Sequence, residues 1–116
     1  MKTVYKYNLS PEEGTLNTIS IPKGAKFVRV GVQPQGFVVW ALVPDTDAPK
    51  EPRALTMVPT GAGVPEEFEL EFVDTIQIMK PDGSVMVSHC FEVLNPPAVP
   101  LHAVPDAEPS VPSPLN

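Results

Sequence analysis

Proline recurs roughly every ten residues along this chain, sixteen times in 116 positions. That spacing constrains the fold more than any other feature. A proline inside a helix removes a backbone donor and clashes with the preceding turn. No long segment keeps a 3.6-residue apolar period either. What recurs instead is alternation with a period of two, bounded by turn residues. In "VYKYNL" (4–9), Tyr5, Tyr7 and Leu9 alternate with Val4, Lys6 and Asn8. "NTISI" (17–21) follows a polar loop, "IPKGAK" makes a turn, and "FVRVGV" (27–32) reads as a strand. "QPQG" then turns the chain into "FVVWALV" (37–43), and the two strands read as a hairpin.

Further along, "PDTDAPKEP" (44–52) reads as a loop, because its three prolines break any ladder. "RALTMV" (53–58) predicts a short strand and "PTGAGVPEE" (59–67) another loop. "FELEFVDTIQIM" (68–79) opens with clean alternation, which predicts Phe68, Leu70 and Phe72 on a buried face and Glu69 and Glu71 on a wet one. "KPDGS" supplies a turn, and "VMVSHCFEVL" (85–94) closes a second hairpin. The expected fold is all-β: a small antiparallel β-sandwich or barrel of about seven strands over residues 1–94. "FVVWALV" is apolar on both faces and is expected to be a central strand covered on both sides, with Trp40 in the core. Phe27, Val39, Phe68, Ile76 and Phe91 are expected to be buried with it.

Ninety-four residues suffice for one hydrophobic core without metals or disulfides. The single Cys90 excludes an intramolecular disulfide framework and fits a reducing compartment or a virion. The first ten residues, "MKTVYKYNLS", have no apolar signal region, so no signal-peptide secretion is expected. The longest apolar run, 37–43, is too short to span a membrane. A net charge of −6 argues against generic nucleic-acid binding. The charge is uneven, however. Residues 1–30 hold five basic groups (Lys2, Lys6, Lys23, Lys26, Arg29) and two acidic ones, whereas 31–116 hold three basic and twelve acidic groups. Lys6, Lys23, Lys26 and Arg29 therefore form a candidate anion-binding set. Arg29 interrupts an apolar strand, so it must find a carboxylate, lie at a sheet edge or face an anion.

No pattern in the chain argues for catalysis. His89 and Cys90 are neighbours on a strand and point to opposite faces, so they cannot act as a base–nucleophile pair or share a metal. His89 is expected to be hydrogen-bonded and partly buried. Two histidines and one cysteine make no zinc set, and "DTD" (45–47) falls short of a calcium loop. "PTGAGVP" lacks the Gly-Lys-Ser/Thr ending of a phosphate loop. The expectation is a non-enzyme with no cofactor and no metal.

The stretches "YKYNL", "IPKGAKFVRVGVQ", "WALV", "PTGAGVP" and "HCFEV", in this order over residues 4–93, resemble a family of short uncharacterised bacteriophage and prophage proteins, a domain of unknown function. The resemblance implies a phage origin and a compact β domain, and it identifies no site. The C-terminal arm, residues 95–116, departs from that family. It holds seven of the sixteen prolines, no positive charge and two acids. Such a segment cannot bury enough surface to fold alone and is expected to be extended. Pro97, Val99, Leu101, Val104, Val111 and Leu115 are spaced as anchors for docking on a protein partner or another subunit. The P-x-x-P motifs lack a flanking Arg or Lys, which leaves SH3 recognition poorly supported. Two functional expectations follow. One is a structural or accessory phage protein, associated with the virion as a decoration or minor capsid component. The other is a counter-defence protein in the host cytoplasm that sequesters a nucleotide signal or binds a host protein.

Overall fold

A computed structural model describes residues 1–10 and 16–97. It is all-β, and there is no helix among the described residues. Seven strands follow in order: β1 (Thr3–Leu9), β2 (Leu16–Pro22), β3 (Lys26–Gln33), β4 (Gly36–Val43), β5 (Lys50–Pro59), β6 (Leu70–Met79) and β7 (Val85–Val93). They form two antiparallel sheets. One is three-stranded, in the order β1-β4-β3; the other is four-stranded, in the order β2-β5-β7-β6. The chain passes between the sheets at a tight corner after β2, where Ala25 N–H donates to Pro22 O at 3.3 Å. Gly24 takes φ +91° in that corner, a conformation that side chains disfavour.

The inner faces meet in a core of Tyr7, Leu9, Ile19, Ile21, Phe27, Val30, Val39, Ala41, Val43, Leu55, Met57, Ile76 and Cys90. Full burial of one such aliphatic side chain is worth about 1.5–3 kcal/mol. The Cys90 thiol lies wholly inside, and desolvation, assisted by the charges of Asp74 and Glu92, pushes its pKa up to about 12. Along the β3–β6 margin the Asp74 carboxylate turns inward. Its Oδ2 accepts the backbone N–H of Val30 at 2.9 Å and so occupies an edge donor of β3. Near the start of β3, Arg53 of β5 forms a two-pronged pair with Glu92 of β7, both bonds 2.7 Å long. Its third nitrogen donates to Ala25 O, and the guanidinium lies 4.5 Å from the Phe27 ring centroid. One side chain thus fastens the four-stranded sheet to the first residues of the three-stranded one. The hydrogen bond to Glu92, with the charges of Glu92, Glu51 and Glu71, holds the Arg53 pKa above its ordinary value against the opposing effect of burial.

Several expectations are corrected. Phe72 is 59% exposed, Leu70 is exposed, and Phe68 and Phe91 are half-buried on the outer face of the four-stranded sheet. The cause is a β-bulge. Phe72 pairs with Phe91, but the next partner of β7, Cys90, is met by Asp74, leaving Val73 as the extra residue. Before the bulge the inward phase belongs to Glu71, opposite Glu92; after it, Ile76 turns in. Phe72 packs edge-to-face on Phe91, ring centroids 5.9 Å apart, outside the core. β5 begins at Lys50, inside the stretch read as a loop. It accommodates Pro52 because β7 ends opposite Ala54, so this part of β5 has only β2 beside it. β4 is a central strand, but its outer face has no second layer over it.

The β5–β6 connection explains why some outward residues are nonetheless buried. Both strands are antiparallel to β7, which lies between them, so they run parallel and their connection must return across the sheet. Val64, Pro65 and Phe68 lie over Thr56 and Val58, and Thr56 is buried although it points away from the core. Asn95 latches this connection: Oδ1 accepts the Glu69 N–H at 2.6 Å and Nδ2 donates to Glu67 O at 2.7 Å.

Candidate functional site

The outer face of the three-stranded sheet gathers most of the predicted cations. Alternation turns Val39, Ala41 and Val43 of β4 inward, so Val38, Trp40 and Leu42 point out. The register then sets each between two neighbours. Trp40 lies between Lys6 of β1 and Arg29 of β3; Leu42 lies between Val4 and Lys26; Val38 lies between Asn8 and Gly31. A bulge at Val28 keeps both Phe27 inward and Arg29 outward. Strands about 4.8 Å apart put Lys6 and Arg29 about 10 Å from each other, with the indole between them.

Two local features shape this face. Lys6 Nζ donates to Gln33 Oε1 at 2.8 Å. The two residues belong to strands on opposite sides of β4, so their bond crosses β4 and roofs Val38, which is fully buried. Gln33 is neutral, and the Lys6 charge is not cancelled by it. Gly31 leaves room for Trp40: a Cβ there would stand 2.8 Å from indole Cζ3. The ring therefore lies against the β3 backbone, where a strand glycine permits close approach. The indole Nε1 is shielded from solvent and has no hydrogen-bond partner among the described residues.

The charge of this face has one sign. The segments Thr3–Leu9, Lys26–Gln33 and Gly36–Val43 contain Lys6, Lys26 and Arg29 and no carboxylate. Lys26 and Arg29 are exposed, and neither forms an ion pair among the described residues. Val4, Val28 and Val32 are exposed beside them, and with Arg29, Gly31 and Trp40 they line an open depression. A flat aromatic ring, flanking cations and a modest apolar rim can hold an anion that carries an apolar or aromatic body. Lys23, the fourth predicted cation, does not join the rows; it sits in the turn before β3, its N–H donated to Pro49 O. Trp40, read from the sequence as core, is half-buried on this outer face. Gly31 and Gln33 were not singled out at all, although a glycine inside a strand is a signal of close packing.

The remaining candidates lie apart. His89 is on the outer face of the four-stranded sheet, with Nε2 2.8 Å from Thr60 Oγ1 and Nδ1 2.9 Å from Thr75 Oγ1. Both ring nitrogens are thus engaged, as expected for a satisfied histidine. Asp45 Oδ1 accepts the Asp47 N–H at 3.0 Å in a local turn. Among the described residues no three His, Cys, Asp or Glu side chains cluster closely enough to hold a metal. Nor is any helix there long and apolar enough to cross a membrane. Pro97 is exposed; Val99, Leu101, Val104, Val111 and Leu115 lie outside the described residues.

A family model described as "Domain of unknown function (DUF7352)" matches residues 1–99. The chain belongs to that family. The DUF7352 match takes in all seven strands, and with them both the cationic face and the Asn95 latch. No curated protein and no solved structure matches the chain.

Proposed function

We propose that this DUF7352 protein is a non-enzymatic bacteriophage accessory protein that works by binding an anionic partner or ligand. The binding surface is the outer face of the three-stranded sheet. The observation that carries this reading is the gathering of Lys6, Lys26 and Arg29 around Trp40, on strands free of carboxylates, in a chain of net charge −6. Evenly scattered surface charge would not segregate in this way. The phage origin is supported by the sequence resemblance set out above, and the host cytoplasm is the matching location. Retention on an immobilised polyanion, followed through a salt gradient, tests the surface. The wild type should bind and elute with salt, and Lys26→Gln/Arg29→Gln should elute earlier at unchanged stability. Equal elution of the two proteins would remove the reading.

A second reading, attachment to the virion as a decoration or minor capsid component, is favoured by a different surface. Leu70 and Phe72 at one end of the outer face of β6, and Met79 with Val85 at the other, leave apolar side chains open on either side of Thr75 and Gln77, with Met79 76% exposed. Exposed apolar patches mark protein partners. Under this reading the C-terminal arm assists the attachment through the anchors named above. Mass spectrometry of purified virions, with the full chain and with residues 98–116 deleted, tests it. Absence of the full-length protein from particles would count decisively against attachment.

A further inference from the structure

The cationic face carries a more specific assignment, which rests on the proposed reading that this face is the binding surface. We propose that it is a nucleotide site: a nucleobase stacks on the exposed side of Trp40 while its phosphates engage Arg29 and Lys26. Four observations converge on this chemistry. Trp40 rests against the Gly31 backbone through its benzo edge and, half-buried, lines the open depression with Arg29. Among the described residues the cation seated over an aromatic ring is Arg53 over Phe27, so no guanidinium caps the Trp40 platform. Arg29 is directly beside the ring, and Lys26 is one outward position further along the same strand edge, opposite Leu42. Outward positions on a strand are about 7 Å apart, so the two long side chains can converge on one short phosphate chain. The arginine fork suits bidentate phosphate contact, and the lysine adds a point charge.

The alternatives fit less well. A lone inorganic anion would leave the ring without a role. An aromatic molecule with a single acid group would leave two cations unused. A long duplex would meet the field of an acidic protein beyond the edges of this one face. The shared chemistry is therefore one base with its phosphates, supplied by a free nucleotide or by one residue of a single strand. Asn8 and Gln33 are the amide side chains among the outward groups of this sheet, and Gln33 is already occupied by Lys6 and Gln35. The edge of the base thus meets little that distinguishes one base from another, and discrimination between adenine and guanine should be weak.

Trp40 is the chain's single tryptophan, so its fluorescence reports on this site alone. The intact protein is titrated with ATP, GTP, adenosine, inorganic triphosphate and a ten-residue oligothymidine. ATP and GTP should quench the emission with similar affinities, saturating by ~100 µM. Arg29→Gln should weaken binding by at least about tenfold, the loss of one charge-assisted bond. Trp40→Ala, followed by calorimetry, should weaken it by roughly 5- to 150-fold, the span of one stacked base. Because that variant uncovers Gly31 and could unfold, Trp40→Phe serves as the conservative partner and should retain most of the affinity. Binding of oligothymidine but not of mononucleotides assigns the source as a single strand. If inorganic triphosphate binds as tightly as ATP and leaves the emission unchanged, stacking is overturned while the anion-binding reading stands. If neither triphosphate nor any nucleotide binds, both fall.

Discussion

Replacing Arg53 with methionine should be among the most damaging single changes to this fold. The substitution keeps an unbranched apolar stem but removes both 2.7 Å bonds to Glu92, the bond to Ala25 O and the cation over Phe27. Stranding one charge of a buried pair costs about 3–5 kcal/mol. The two side chains keep 19% and 11% of their surface, so some water reaches the stranded carboxylate and the lower end of that range applies. Loss of the cation–ring contact adds about 0.5–1 kcal/mol. The expected total is about 3–4 kcal/mol. Glu92→Met should cost less, because the long arginine stem can swing its charge to solvent. The double variant Arg53→Met/Glu92→Met removes both charges and should recover to within about 1–2 kcal/mol of wild type, the residue reflecting the orphaned Ala25 carbonyl. Equilibrium urea unfolding of the four proteins at pH 7, with slopes confirmed equal, gives the cycle. A single-variant loss under about 1 kcal/mol would mean that solvent screens the pair completely. A double variant less stable than Arg53→Met would mean that the pair is not what fastens the sheets.

Leu55→Ala, at a fully buried position, should cost about 2–5 kcal/mol, whereas Phe72→Ala on the open face should cost less than about 1 kcal/mol; the same urea assay compares them. Gly31→Ala should lift the Trp40 ring off β3, shifting its emission to the red and destabilising by about 1–3 kcal/mol; an unchanged spectrum would refute the close approach. The Cys90 thiol has its folded-state pKa raised from 9.0 to about 12, so its stabilising contribution is intact below pH 9 and is lost as the pH climbs toward 12. The difference in stability between wild type and Cys90→Ala should therefore shrink over that window, and a constant difference would show that the thiol does not titrate with folding. Native Cys90 should also resist alkylation at pH 8 and react fully in denaturant.

The strand content was legible because alternation and turn chemistry agree. The segment 27–43 shows this well: apolar periodicity marked both strands, and Pro34 and Gly36 marked the hairpin turn between them. The faces were less legible. Phe68, Leu70 and Phe72 alternate as a buried face would, yet a single extra residue, Val73, reverses the phase of β6. Nothing in "FELEFVD" marks that bulge, since its cause is the tertiary demand that Asp74 reach Val30 and that Glu71 and Glu92 share the end held by Arg53. The cationic residues could be named from composition, but their meeting around Trp40 depends on the β1-β4-β3 order, which brings residues 6 and 29 to either side of one strand. Lys23 fell outside because the "IPKGAK" turn carries the chain from one sheet to the other, a change of sheet that the sequence does not mark.

The position of β7 in its sheet has a consequence for biosynthesis. A ribosome delivers β1, β3 and β4 early, and the three-stranded sheet can assemble while the rest of the chain is still being made. The four-stranded sheet cannot. β7, made after its three partners, is not added at a margin but inserted between β5 and β6, which until then face each other across an empty slot. A nascent chain arrested before Val85 would expose two unpaired strand borders and the apolar inner faces of both sheets, the state most prone to aggregate or be degraded. Termination within β7 should thus be far more harmful to yield than its short length suggests, and the arrival of β7 becomes the event that completes the four-stranded sheet.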